Sequence, residues 1–166
     1  MDAILARRSI RKYTNQQVSE AIVKELLQAA MSAPSAGDER PWHFIVVRDR
    51  RVLDAIPNIH PYSHMLKYAS VAILVCGDEQ LEKSPGFWVQ DCAAAAENIL
   101  LTVQEKGLGA VWLGIYPLVD RVEGISRLFD LPLTVHPFCL IPVGYPAEEK
   151  APTDRYDEGR VHYDQW

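Results

Sequence analysis

Residues 84–114, SPGFWVQDCAAAAENILLTVQEKGLGAVWLG, set a long helical pattern directly against a glycine-punctuated apolar run. From Phe87 to Lys106 the apolar residues Val89, Cys92, Ala96, Ile99, Leu100 and Val103 occupy several helical sectors. Asp91, Asn98, Thr102 and Glu105 fall on one side, shared with Ala94 and Ala95. A helix that is apolar on most faces and carries four consecutive alanines, Ala93–Ala96, is a buried helix approached closely by its neighbours. Ser84-Pro85-Gly86 reads as an N-cap followed by proline in the first turn, and Gly107 as the glycine that ends the helix. The run Gly107-Leu108-Gly109-Ala110-Val111-Trp112-Leu113-Gly114 superficially resembles a dinucleotide fingerprint. That fingerprint needs glycines that follow a strand and open a helix, whereas these follow a helix and precede a strand. A Rossmann arrangement is therefore excluded.

Working outward, Ser19 caps a helix over about 19–32 whose apolar positions are Ile22, Val23, Leu26, Leu27, Ala30 and Met31, stopping at Ala33-Pro34. His43–Val47 and Val71–Cys76 read as strands. After the long helix come a strand at about Ala110–Ile115, a helix at about Val119–Phe129 and a strand at about Phe138–Val143. This order predicts one α+β domain over residues 1–166, a mixed sheet surrounded by helices. Residues 147–166 are polar but carry Tyr156, Tyr163 and Trp166, so this tail is expected to pack against something.

Composition bounds the function. The 166 residues are 48% hydrophobic and 23% charged, which fits a folded domain and excludes a disordered or collagenous chain. A net charge of -5 disfavours nonspecific nucleic-acid binding. There is no apolar run of the roughly 18 residues that span a bilayer and no signal-peptide core, so no membrane partner is expected. Cys76, Cys92 and Cys139 are dispersed within apolar stretches and read as reduced core cysteines, which points to the cytoplasm.

Several clusters could carry chemistry. Arg7-Arg8-Ser9-Ile10-Arg11-Lys12 places four cations and a hydroxyl in six residues, a set suited to a phosphate, although on the residues alone a solvated charged face is the more common reading and a nucleic-acid patch the least favoured. Pro34-Ser35-Ala36-Gly37-Asp38-Glu39-Arg40-Pro41-Trp42 is a stiffened loop exposing backbone groups, either a ligand contact or a structural turn. Gly114-Ile115 would let a flat ligand approach the backbone. His60 and His64 are spaced as a helical metal pair, but Pro61 intervenes and no ligand set is completed, so they read as loop histidines and no metal is expected. Asp91 and Glu97 lie about 120° apart on their helix and do not form an acid/base pair.

Taken in order, these pieces resemble the nitroreductase family of FMN-dependent oxidoreductases. The resemblance runs from Arg7–Tyr13 through Ala33–Phe44, Gln90-Asp91, Gly107–Gly109 and Trp112–Ile115 to Pro142–Pro146 and the tail 154–166. It implies FMN as cofactor, with Arg7, Arg8, Ser9 and Arg11 at its phosphate and pyrimidine edge and Arg155 completing the phosphate site. Pro34, Ser35, Ala36 and Asp38 are implied beside the isoalloxazine from the partner subunit, with Gly114 and Ile115 near the ring. It further implies a domain-swapped type of homodimer with FMN at the interface and the tail packed on it. The implied chemistry is ping-pong hydride transfer from NADH or NADPH to nitroaromatics, quinones or related acceptors, with no side chain required as acid or base. The same scaffold would also suit a flavin-sequestering protein, or a flavin-dependent dehydrogenase or dehalogenase of a specific metabolite.

Two positions depart from the family loop pattern P-S-A-x-N-x-Q-P-W. Asp38 stands for Asn and Arg40 for Gln. An ionised Asp38 beside a flavin would lower its reduction potential unless Arg40 neutralises it. The chain is also short for an enzyme that surrounds a large ligand, which a site shared between two subunits would explain.

Overall fold

The computed structural model describes residues 2–166. In chain order it contains α1 (Asp2–Ala6), α2 (Glu20–Met31), β1 (Trp42–Val47), α3 (Arg50–Ala55), β2 (Val71–Asp78), α4 (Trp88–Glu105), β3 (Gly109–Ala110), β4 (Leu113–Gly114), α5 (Val119–Phe129) and β5 (Val135–Gly144). The sheet order is β1-β2-β5-β3, with β4 also paired to β5, and every ladder is antiparallel. The parallel component of the expected mixed sheet is confined to a single bridge, Ser9 to Ala110. The class is α+β, as expected.

β2 organises both cores. Its sequence VAILVC is buried throughout, and alternate residues point to opposite faces. Val71, Ile73 and Val75 pack with Leu26, Ala30, Ile99 and Val103 of α2 and α4. Ala72, Leu74 and Cys76 pack on the other face with Leu53, Ile56 and Ile125 from the α3 and α5 side. A strand covered on both faces can be apolar at every position, which is why no polar alternation is seen. Pro137, unable to donate to a ladder, sits where the β2–β5 register slips between Val75 and Cys76.

The expected strand at Ala110–Ile115 is two short pieces, β3 and β4, in one register against β5 but interrupted at Val111-Trp112. The N-terminus of α4 also differs from expectation. Ser84 is not its cap: Phe87 occupies that position without a side-chain bond, and Glu82 Oε1 instead accepts from Gly86 N at 2.8 Å and Trp88 N at 3.0 Å. The left-handed turn at Gly86 (φ 90) separates Ser84 from the helix. At the other end Gly107, at φ 67, closes the helix with Leu108 N donating to Val103 O. The two short helices α1 and α3 were not foreseen, although Asp49 caps α3 by accepting from Arg51 N. All three cysteines are buried thiols, and burial pushes Cys76 up to about 12.

Trp88, at the start of α4, lies flat over Gly77 of β2. A Cβ at residue 77 would stand 2.3 Å from Trp88 Cε3 and 2.9 Å from Cδ2. The ring is also edge-on to Tyr116 (centroids 4.8 Å) and stacked on His136 (5.6 Å), so it has little room to retreat. Gly77→Ala should therefore destabilise the protein by about 1–3 kcal/mol through overpacking, measured by chemical denaturation.

Candidate functional site

The basic segment is not a free charged face. It is seated along the open edge of the sheet by two residues pointing inward. Ile10 rests on Gly109, where a Cβ would stand 2.6 Å from Ile10 Cγ2, and Ile10 N donates to Ala110 O at 2.9 Å. Tyr13 rests on Gly144, where a Cβ would meet its ring at 2.9 Å, and its hydroxyl donates to Ile10 O at 2.8 Å. Thr14 N to Tyr145 O and Ala147 N to Lys12 O, both 2.8 Å, complete the attachment. With Ile10 and Tyr13 turned inward, the intervening cations face outward.

The result is a polar cleft of about 210 Å³ lined by Arg7, Arg8, Ser9, Arg11, Lys150 and Arg155. Five of the predicted site residues thus converge on one place. Lys150 was not foreseen; its Nζ donates to Ser9 O at 2.6 Å, and its only sequence signal is a cation shortly after the Pro142–Pro146 motif at the end of β5. Two carboxylates balance the flanks. Glu97 pairs with Arg7 at 3.3 Å, and Glu148 accepts from Arg11 N at 2.6 Å, a bond that holds its carboxyl below the usual range. Arg8 Nη1 donates to Thr153 Oγ1 at 2.6 Å. Beyond Thr153 the tail's hydrogen bonds are local and only Arg155 reaches back to the cleft, while Tyr156, Tyr163 and Trp166 stay exposed, so the tail's aromatic rings do not pack into this chain.

Pro34, Ser35 and Ala36 line a different cleft, of about 300 Å³, with Phe87, Gln90, Asp91 and Ala94 of the α4 end. The loop is tightly tied. Ser35 Oγ accepts from Arg40 N at 3.0 Å, Asp91 Oδ1 accepts from Ala36 N at 3.0 Å, and Glu39 Oε2 accepts from Lys83 N (2.7 Å) and Ser84 N (2.9 Å). Gly37, Asp38 and Arg40 all have left-handed backbone, φ 53, 53 and 49. Such a conformation in an arginine costs free energy that the surrounding bonds must offset. Asp38 does not line the cleft. It is exposed and forms a bidentate pair with Arg40, Nε to Oδ1 at 2.6 Å and Nη2 to Oδ2 at 2.8 Å. These hydrogen bonds hold Asp38 below its ordinary value. The two departures from the family loop are thus one neutralised unit.

Gly114 and Ile115 end the broken strand. Ile115 is fully buried in the core, so its side chain cannot meet a ligand; its N–H donates to Phe138 O at 3.1 Å and its carbonyl accepts from Leu118 N at 3.0 Å, so it contributes only the course of its backbone. At Gly114 a Cβ would find nothing within 4 Å, which leaves open space above the peptide. Its carbonyl is gripped by His60 Nε2 at 2.9 Å and Arg121 Nη1 at 2.7 Å. His60 lies in an irregular segment, as expected of a loop histidine, but its side chain is buried and holds the Gly114 peptide. Burial lowers its pKa; the bond to Gly114 opposes this and the Arg121 charge adds to it.

Comparisons with known proteins bear on the family and the fold. The model of the nitroreductase family matches residues 4–64 and 60–145. A protein of Methanothermobacter thermautotrophicus, provisionally named NADH dehydrogenase/NAD(P)H nitroreductase, is 58% identical over 166 residues, covering 100% of this chain and 87% of its own. A solved structure from Clostridium acetobutylicum, provisionally named an NADH oxidase, superposes with a TM-score of 0.96 at 45% identity, covering 99% of this chain and 100% of that one. A nitroreductase of Desulfovibrio desulfuricans, also provisionally named and solved in complex with FMN, gives 0.86 at 30% identity, covering 99% and 96%. The chain belongs to the nitroreductase family of oxidoreductases. Among the described residues no helix is long and apolar enough to cross a membrane.

The Gly114 carbonyl yields a direct test. Arg121→Leu removes a charged donor and should cost about 1–3 kcal/mol in stability. Because a like charge is lost beside His60, its imidazole should then titrate at higher pH than in the parent protein, read by NMR.

Proposed function

We propose that this chain is an FMN-dependent oxidoreductase that draws on NADH or NADPH and reduces nitroaromatics, quinones or related acceptors. The observation that carries this reading is the convergence of Arg7, Arg8, Ser9, Arg11, Lys150 and Arg155 on one small polar cleft. Its volume and its guanidinium forks match a phosphate group. The open space at Gly114, where even a Cβ would touch nothing, fits a flat ring laid against the backbone.

In this reading Arg7, Arg8, Arg11, Lys150 and Arg155 hold the phosphate, with Ser9 adding a short hydrogen bond. Ser35 keeps its hydroxyl hydrogen free, since its oxygen already accepts from Arg40 N, and can donate toward the ring edge. Pro34 and Ala36 shape the wall of the ring pocket, the Asp38–Arg40 pair lies outside it on the loop surface, and the Gly114-Ile115 backbone forms its floor. Bound FMN would supply the redox chemistry, taking hydride from the nicotinamide and passing electrons to the second substrate after exchange in the same pocket. The protein's own work is to bind, orient and tune.

The basic cleft and the Pro34–Ala36 cleft are lined by separate sets of residues. This supports a homodimer in which one subunit supplies the cations and the other supplies the loop. The exposed Tyr156, Tyr163 and Trp166 then have a partner surface to cover.

Purified protein should be yellow or acquire a bound flavin spectrum on adding FMN, elute as a dimer, and bleach rapidly under anaerobic NADH or NADPH. A colourless monomer that ignores FMN overturns the reading. Arg8→Ala or Arg11→Ala should weaken FMN binding roughly 10- to 100-fold by fluorescence titration, the usual worth of a charged hydrogen bond. Redox titration gives a further check on the loop. Arg40→Gln unmasks the Asp38 carboxylate and should lower the FMN midpoint potential, whereas Asp38→Asn unmasks the Arg40 cation and should raise it.

A further inference from the structure

Asp91 and Glu39 stand out among the buried polar groups. Both are nine-tenths or more buried, on different elements: Glu39 at the end of the flavin-facing loop and Asp91 in the first turn of α4. One oxygen of each carboxyl is engaged, Asp91 Oδ1 by Ala36 N and Glu39 Oε2 by Lys83 N and Ser84 N. The other two oxygens, Asp91 Oδ2 and Glu39 Oε1, are buried and receive no donor from the described residues. Two carboxyl oxygens can hydrogen-bond each other only through a proton carried by one of them.

We propose that Asp91 and Glu39 are positioning residues that clasp the Pro34–Arg40 loop onto α4 through one shared proton, so that loss of the proton loosens the loop. The proton resides on Asp91. Burial raises Asp91, the Ala36 N–H opposes this, and the Glu39 and Glu82 carboxylates raise it further. Burial acts on Glu39 in the same direction but is outweighed by the N–H groups of Ser84 and Lys83 and by the bond from Asp91, with the Lys83 charge adding. Glu82 and Lys83 are the charged groups that face the pair from the 82–84 segment; Glu82 is itself committed to Gly86 N and Trp88 N.

The pH dependence follows from these directions. Asp91 is raised in the folded state, so its contribution is complete below the ordinary carboxylate range, about pH 4, and is lost as pH rises through its elevated value. Glu39 is lowered, so its contribution is present above that range and is lost on acidification through its depressed value. The clasp is therefore tightest between the two. On the alkaline side two buried carboxylates repel, and Ala36 N–H is pulled away with the loop.

The consequence for ligand binding rests on the flavin reading above; the clasp does not. The test compares the full-length protein with Asp91→Asn and Glu39→Gln, each of which replaces the shared proton by an amide N–H that cannot titrate. Two quantities are followed across pH: the melting temperature without flavin, and the FMN dissociation constant by fluorescence. In the parent protein the melting temperature should fall as pH rises past the clasp's midpoint, and FMN affinity should fall by up to about tenfold per pH unit, the limit for one proton. Both profiles should flatten on the alkaline side in the two amide variants. Asp91→Ala, which strands Ala36 N–H and Glu39, should melt lower throughout. Parallel alkaline profiles in the parent protein and Asp91→Asn overturn the clasp. Divergent melting profiles with no FMN binding by any variant uphold the clasp and overturn the flavin reading.

Discussion

Two contacts in which a large side chain lies directly on a glycine, Ile10 on Gly109 and Tyr13 on Gly144, set the geometry of the candidate site. Neither can form if the glycine carries a Cβ, because the distances of 2.6 and 2.9 Å leave no room for one. They draw residues 9–14 onto the sheet as a pseudo-strand beside β3 and β5. Only in that seat do Arg7, Arg8 and Arg11 project to a common side, where Lys150 and Arg155 meet them. A charged hexapeptide is thereby turned into a preorganised anion cleft, with the entropy of ordering the arginines largely met by the apolar anchoring between them.

The loop at residues 34–40 follows a different logic, since it buries little and bonds much. Three left-handed residues would not persist in solution; they are held by Ser35, Asp91, Glu39 and Lys83. The exchange of Asn and Gln for Asp38 and Arg40 keeps the local charge at zero, because the two new charges face each other at 2.6 and 2.8 Å. Both are exposed, so the pair contributes to the electrostatics of the loop surface rather than to stability.

Much of the fold was legible in the residues because it rests on local periodicity. α2, α5 and the extent of α4 fell within one or two residues of their apolar patterns, and β2 announced itself as an unbroken β-branched run. The misses have identifiable causes. Ser84 has the chemistry of a cap, but Gly86 turns the chain between it and the helix, and Glu82 reaches the same amides from farther back. The strand at 110–115 breaks at Val111-Trp112 although its apolar pattern is continuous. α1 is too short to show a period.

For the site, the kind of chemistry was readable in short segments, as an arginine-serine cluster and a rigid proline-bounded loop. Which residues cooperate was not. Asp91 shares its helix with Glu97 and does not pair with it, whereas the loop that folds back to α4 donates Ala36 N to Asp91, and the clasp proposed above joins it to Glu39, more than fifty residues earlier. Lys150 joins the arginines, and His60 and Arg121 meet on the carbonyl of Gly114, for the same reason. Helices and strands follow from interactions between near neighbours, which the order of residues displays directly. A shared proton, an anion cleft or a gripped carbonyl depends on distances between segments, and those exist only once the sheet has brought the segments together.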